Sequence, residues 1–130
     1  MSETTIDVLV VDDDPAIRDT IRDVIDVEPG WRLVGEATDG REAIHLAEEL
    51  QPHVVVLDLM LPVMSGIDAL PQIVHVAPHS TVVMLTAYPG ARELIDAAAL
   101  GAAATMEKTA LTQLPAIIRD LLGTAHGAVG

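Results

Sequence analysis

The sequence predicts an α/β fold: a doubly wound, five-stranded parallel sheet with five helices. Three observations carry that prediction. Short apolar runs alternate with amphipathic helical patterns, strand then helix, from Ile6 to Leu122. Val54–Leu57 is apolar at every position, the pattern of a strand covered on both faces. Several runs also end abruptly in a residue able to do chemistry, as at Asp12, Asp58 and Thr86.

Ile6–Val11 forms the first strand, and Asp12, Asp13 and Asp14 follow it. Ile17, Ile21, Val24 and Ile25 then recur at helical spacing among Arg18, Asp19, Arg22 and Asp23. Asp14 suits the N-cap of that helix, with Pro15 at its first position and Pro29-Gly30 as its stop. Trp31–Ala37 is the second strand, and Asp39-Gly40 turns into a helix ending at Leu50, before Pro52. Val54–Leu57 is the third strand and ends in Asp58. A loop holding Pro62 and Gly66 leads to a helix over Ile67–Val76, in which Pro71 should produce a kink or a delayed start. Thr81–Leu85 is the fourth strand, followed by Thr86. After Pro89-Gly90 a helix spans Ala91–Leu100, with Gly101 as its C-terminal cap. Ala102–Met106 is a weak fifth strand just before Lys108. Leu114, Ile117, Ile118, Leu121 and Leu122 mark the last helix, opened by Thr112 with Pro115 in its first turn. The domain is expected over residues 6–122, with a flexible N-terminus over 1–5 and a flexible tail or linker over 123–130.

Composition narrows the function. A chain of 130 residues, half of them hydrophobic, suffices for one packed domain with an aliphatic core, since it holds one Trp, one Tyr and no Phe. The absence of cysteine excludes disulfides, thiolate metal sites and thiol catalysis. No secretory signal or membrane-length apolar stretch is visible, so the cytoplasm is the expected compartment. Twenty acids against seven bases give a net charge of −13, which argues against direct binding to nucleic acid or to anionic lipid. The five histidines sit singly, without metal-ligand spacing.

Parallel open sheets bind ligands beyond the carboxyl ends of their strands. There the sequence collects Asp12 and Asp13, Asp58, Thr86 and Lys108. Carboxylates this crowded must either hold protons or share a cation. A hard divalent ion with oxygen ligands is the natural solution, and Mg²⁺ suits a site that also takes a phosphate (Mn²⁺ is the alternative). Lys108 can pair with phosphate oxygens, Thr86 can donate a hydroxyl, and Asp58 can serve as a carboxylate nucleophile.

With these residues placed, residues 6–122 resemble the receiver domains of two-component response regulators. The likeness rests on Val10-Val11-Asp12-Asp13-Asp14-Pro15, on Asp58-Leu59-Met60-Leu61-Pro62-Val63-Met64-Ser65-Gly66, on Leu85-Thr86-Ala87 and on Lys108. It implies a flavodoxin-like receiver fold with strand order 2-1-3-4-5. It also implies that Asp58 accepts a phosphoryl group from a sensor histidine kinase or phosphotransfer protein. Asp13, Asp58 and the main-chain carbonyl of Met60 would ligate the metal, with Asp12 acting through water. Thr86 and Lys108 would sense the phosphoryl group, and Ala87 is the small position that lets it approach. Trp31–Ala37 and Gly101-Ala102-Ala103 look most like receivers that precede a helix-turn-helix domain. The chain is thus expected to be a single-domain regulator or the front of a longer transcription factor. Its partners would be a downstream protein or a following output domain, with homodimerisation on phosphorylation.

The sequence departs from the family pattern in places. The family's switch aromatic lies three residues before the lysine, where this chain has Thr105, and Tyr88 is the candidate substitute. Thr109 stands in place of the common proline after Lys108, so no cis peptide is expected there, and Glu107 beside the lysine is unusual. Met60 and Tyr88, two residues past Asp58 and Thr86, are bulky and lack an acid or amide to orient water. Self-dephosphorylation should therefore be slow. Two other functions compete. One is a receiver-like binding module with vestigial phosphorylation, suggested by Thr105 and Glu107. The other is an enzyme or flavin carrier on the same fold, which Asp12-Asp13-Asp14 disfavours by repelling ligand phosphates.

Overall fold

The apolar runs pair side by side in the computed structural model, which describes residues 5–87 and 93–126. The strands are β1 (Ile6–Val11), β2 (Trp31–Ala37), β3 (Val54–Asp58), β4 (Thr81–Thr86) and β5 (Ala104–Glu107). The helices are α1 (Pro15–Asp26), α2 (Gly40–Leu50), α3 (Gly66–Val76), α4 (Glu93–Leu100) and α5 (Leu114–His126). All neighbours are parallel, in the order β2-β1-β3-β4-β5. The doubly wound α/β sheet expected from the sequence is therefore present.

Successive side chains of a strand point to opposite faces, and two cores result. Leu9, Val11, Val55, Leu57, Val82 and Met84 face one side and pack with Ala43 and Ala47 of α2 and Leu70 and Ile73 of α3. Val8, Val10, Val54, Val56, Val83 and Leu85 face the other, against Ile21 and Ile25 of α1 and Leu114 and Ile118 of α5. Every residue of β3 is buried. Burying β3 on both faces also buries whatever its last residue carries.

Local chemistry sets the helix ends. The Asp14 side chain accepts from Ala16 N at 2.9 Å, with Pro15 opening α1. Asp39 caps α2 by accepting from Glu42 N, while the Glu42 side chain accepts from Thr38 N, one residue before the cap. Gly101, at φ +117°, ends α4 with its own N–H on Ala98 O and that of Ala102 on Ala97 O, a Schellman arrangement. No described peptide bond is cis, Lys108–Thr109 included.

Four expectations change. α3 starts at Gly66, capped by Ser65, and continues through Pro71 without delay. The proline leaves the Ile67 carbonyl without its usual donor, but Pro71 is exposed while Ala69, Leu70 and Ile73 anchor the opposite face in the core. Burial outweighs propensity here. β5 begins at Ala104, because Ala102 N is taken by the α4 cap. Thr112 lies in a 3₁₀ segment (Lys108–Gln113), so α5 starts at Leu114 with Pro115 still in its first turn. α5 also runs to His126, past the last apolar residue of the pattern. Tyr88, the Pro89-Gly90 turn and the expected helix start at Ala91 lie outside the described residues, as do residues 1–4 and 127–130.

Pro71→Ala returns a donor for the Ile67 carbonyl at an exposed site. The regained helix energy, about 3 kcal/mol at most, is offset by up to about 1 kcal/mol of added freedom in the unfolded chain. Denaturant unfolding should therefore show a gain of about 1–2 kcal/mol; no gain would mean that the helix is already distorted around Pro71.

Candidate functional site

The site is built where the strands stop. Val11 is in register with Leu57, so Asp12 and Asp13 leave β1 beside Asp58, the last residue of β3. Asp58 pairs with Leu85, which places Thr86 one residue further along β4. Thr86 in turn pairs with Glu107, the neighbour of Lys108. β1 and β3 lie on either side of the point where strand order reverses, the place for a ligand crevice in such sheets.

Asp12, Asp13 and Asp58 each offer a carboxylate oxygen within 4.8 Å of the others. Asp12 and Asp58 are buried and Asp13 is exposed, so the cluster opens to solvent at Asp13. Lys108 Nζ reaches both buried acids, 2.8 Å from Asp12 Oδ2 and 3.0 Å from Asp58 Oδ2. Lys108 takes one lone pair of Asp12 Oδ2, and that buried oxygen keeps further acceptor capacity toward a cation. Three carboxylates against one ammonium leave the pocket short of positive charge. Burial raises the Asp58 carboxyl above the ordinary carboxylate range; Asp12 adds to the rise, while Lys108 and the Met60 N–H pull against it. Burial pulls the Lys108 ammonium down, but its pairing with Asp12 and Asp58 outweighs this and leaves it above its usual value.

The loops hold these groups in place. Asp12 Oδ1 accepts from Asp14 N at 2.9 Å and Asp58 Oδ1 from Met60 N at 3.3 Å. Beyond Asp58 the chain makes a γ-turn, with Met64 N donating to Pro62 O at 2.6 Å and Val63 at φ +66°. A β-branched residue there stores strain of about 1–3 kcal/mol. Gly66 then presses α3 against the end of β3: a Cβ on it would lie 2.0 Å from the Asp58 carbonyl oxygen. Glycine is required by that approach.

The structure therefore gathers Asp12, Asp13, Asp58 and Lys108 at one point, with buried Thr86 at the adjoining strand end. Ala87 follows Thr86 and is exposed, and Met60, two residues past Asp58, is 60% exposed. Thr105 is elsewhere: it points out of β5 and lines a surface groove with Gln113, Ala116, Ile117 and Leu121 of the neighbouring segments. Sequence reasoning missed Arg18, whose Nη1 donates to the Asp12 carbonyl at 2.8 Å. Its position one turn into α1 from the cap Asp14 was the available signal, but it read as an ordinary polar-face residue.

The response regulator receiver domain family matches this chain over residues 8–119. The chemotaxis protein CheY of Thermotoga maritima is 37% identical over 95 residues, which is 73% of this chain and 78% of that protein. A protein-glutamate methylesterase/protein-glutamine glutaminase of Alkalilimnicola ehrlichii is 41% identical over 96 residues, spanning 72% of this chain but 24% of the relative. The crystal structure of a two-component response regulator of the LuxR family from Aurantimonas sp. SI85-9A1 superposes with a TM-score of 0.83 at 33% identity, covering 92% of this chain and 87% of that one.

A carboxyl whose pKa is higher in the folded than in the unfolded state binds more protons when folded, so stability falls as pH rises through that interval. Without metal, the wild type should lose stability from the ordinary carboxylate range upward, and Asp58→Asn should lack that component. At neutral pH in chelator, Asp58→Asn should therefore melt above the wild type. A lower melting temperature would show that the pairing with Lys108 outweighs burial.

Proposed function

This chain belongs to the response regulator receiver domain family of two-component systems, and we propose that it is a phosphoryl-accepting switch centred on Asp58. The observation that carries the proposal is the buried Asp58, 3.0 Å from Lys108 and within a cluster of three carboxylates. Receivers bind Mg²⁺ at such an acidic cluster. Here Asp13, Asp58 and the Met60 carbonyl would hold the ion, Mg²⁺ or Mn²⁺, with Asp12 acting through water. The pocket's excess of negative charge and the remaining acceptor capacity of Asp12 Oδ2 fit it. When bound, the cation supplies charge neutralisation for an incoming phosphoryl group.

In the proposed transfer, an Asp58 carboxylate oxygen forms a bond to phosphorus as the P–N bond of a phosphohistidine breaks. The electrons of that bond stay with the imidazole nitrogen, which takes up a proton. Ionised Asp58 needs no general base, and Lys108 keeps it next to a positive charge. Once the product forms, Lys108 can turn to the new phosphoryl oxygens with Thr86, and Ala87 leaves room beside them. The donor would be a sensor histidine kinase or a phosphotransfer protein.

Output would pass to the surface around α4, β5 and α5, toward a downstream protein, a following output domain or a second copy of the chain. The likeness to a LuxR-family regulator supports a receiver of the kind that precedes a helix-turn-helix domain. No described helix is long and apolar enough to cross a membrane. The acidic composition argues against nucleic-acid contact by this domain, and the cytoplasm is the compartment that fits a histidine-kinase donor. The role is a signalling one, with chemistry confined to the domain's own modification. A second reading, a binding module that works without phosphorylation, draws on Thr105, which is exposed at the position of the family's switch aromatic.

With Mg²⁺ and a small acyl phosphate, intact mass should show one added phosphoryl group in the wild type and none in Asp58→Ala. Modification that survives the substitution would reject Asp58, and an unreactive wild type that still binds Mg²⁺ would favour the binding module. The phosphorylated form should be long-lived, and Met60→Asn should shorten its lifetime by admitting and orienting water. Rapid loss from the wild type, unchanged in Met60→Asn, would contradict this.

A further inference from the structure

Arg18 joins three elements. Its Nη1 donates to the main-chain carbonyl of Asp12 at 2.8 Å, and its Nε to Glu36 Oε1 of β2 at 3.0 Å. Glu36 is also paired with Arg22, which bonds to Asp19. The Arg18 side chain is 18% exposed, so it is held between α1 and the sheet and does not extend into solvent.

Asp12 lies one residue past Val11, the last residue of β1 paired with β2 and β3. Its N–H still reaches Ala37 O, while its carbonyl points at Arg18. The turn that carries the acidic cluster is therefore fixed on three sides: Asp14 N to Asp12 Oδ1, Ala16 N to Asp14 Oδ1, and Arg18 to the Asp12 carbonyl. The first two are local to the turn. The third ties it to β2 through the Glu36 side chain, beside the main-chain bond from Asp12 N to Ala37 O.

We infer that Arg18 is a positioning residue for the cation pocket: by clamping the Asp12 carbonyl to Glu36, it fixes the turn that presents Asp12 and Asp13 to the metal. This rests on the reading of Asp12, Asp13 and Asp58 as a metal site. The plainer alternative is a stabilising ion pair with no effect on the pocket. Exposed ion pairs contribute little, but a guanidinium that is mostly buried and donates to a main-chain carbonyl makes a stronger and more directional bond. Charge alone would make Arg18 repel a cation. Across the network, however, Arg18 and Arg22 are balanced by Glu36 and Asp19, so geometry should dominate.

Binding of Mn²⁺ to the unphosphorylated protein, followed by the spin-resonance signal of the free ion, tests the inference. Arg18→Met should weaken it on the order of 10-fold, the usual cost of losing a group that orients metal ligands. Arg18→Lys, which keeps the charge but lacks the fork, should recover only part of the loss. In phosphorylation by an acyl phosphate, the Mg²⁺ concentration for half-maximal rate should rise by the same factor, with the rate at saturating Mg²⁺ unchanged. A merely structural role would lower the melting temperature and leave Mn²⁺ affinity as it was; that result, or tighter binding, overturns the inference. Glu36→Gln frees the guanidinium without removing it and guards against a misfolded Arg18→Met. It should weaken Mn²⁺ in the same direction but less, and unchanged affinity there overturns the link to β2. A wild type that binds Mn²⁺ but accepts no phosphoryl group would overturn the phosphoacceptor reading alone, and one that binds no Mn²⁺ would overturn both.

Discussion

Three carboxylates meet at the ends of β1 and β3, where Lys108 is the one cation paired with their oxygens among the described residues, and most of the molecule's functional architecture follows from that imbalance. In water such a cluster would disperse. Here the apolar strands hold it together, because β1 and β3 are adjacent and packed on both faces. The energy of the aliphatic core thus sustains an electrostatic arrangement that the charges themselves oppose. Lys108 relieves part of the repulsion and fixes the inner wall of the pocket. What remains is a negatively charged site suited to a small, hard cation and to chemistry that benefits from one.

The surrounding loops share the work of keeping the charges in position. Asp14 caps α1 while its N–H holds Asp12, so one short turn both starts a helix and presents two acids. On the other side, the strained turn at Val63 and the close approach of Gly66 bring α3 directly onto the end of β3. Both features shape the ground around Asp58. Strain and close packing at such positions are common where function fixes the backbone.

Much of this was legible in the sequence, for definable reasons. Alternation of apolar runs with helical periodicity reports the sheet, and an acid directly after an apolar run reports a residue carried to the sheet's edge. Asp12, Asp13, Asp58, Thr86 and Lys108 could each be found that way, and the strand register brings them together. What failed were judgements in which a local rule competes with packing. Pro71 reads as a helix breaker, yet the buried face of α3 carries the helix through it. Ala102 reads as strand, but its N–H belongs to the cap of α4. Thr112 reads as a helix start, yet the chain spends Lys108–Gln113 in a 3₁₀ segment. Arg18 was missed for a different reason: its partner Glu36 is remote in sequence, and a place one turn past the Asp14 cap does not by itself distinguish a bond to the Asp12 carbonyl from an ordinary polar-face residue.

A cation completing the carboxylate cluster is the central requirement of the proposed site, and anomalous diffraction from crystals grown with Mn²⁺ tests that requirement most directly. One strong peak is expected, bounded by the carboxylates of Asp12, Asp13 and Asp58 and lost in Asp13→Asn. No peak there, or a peak only at other acids on the surface, would contradict it.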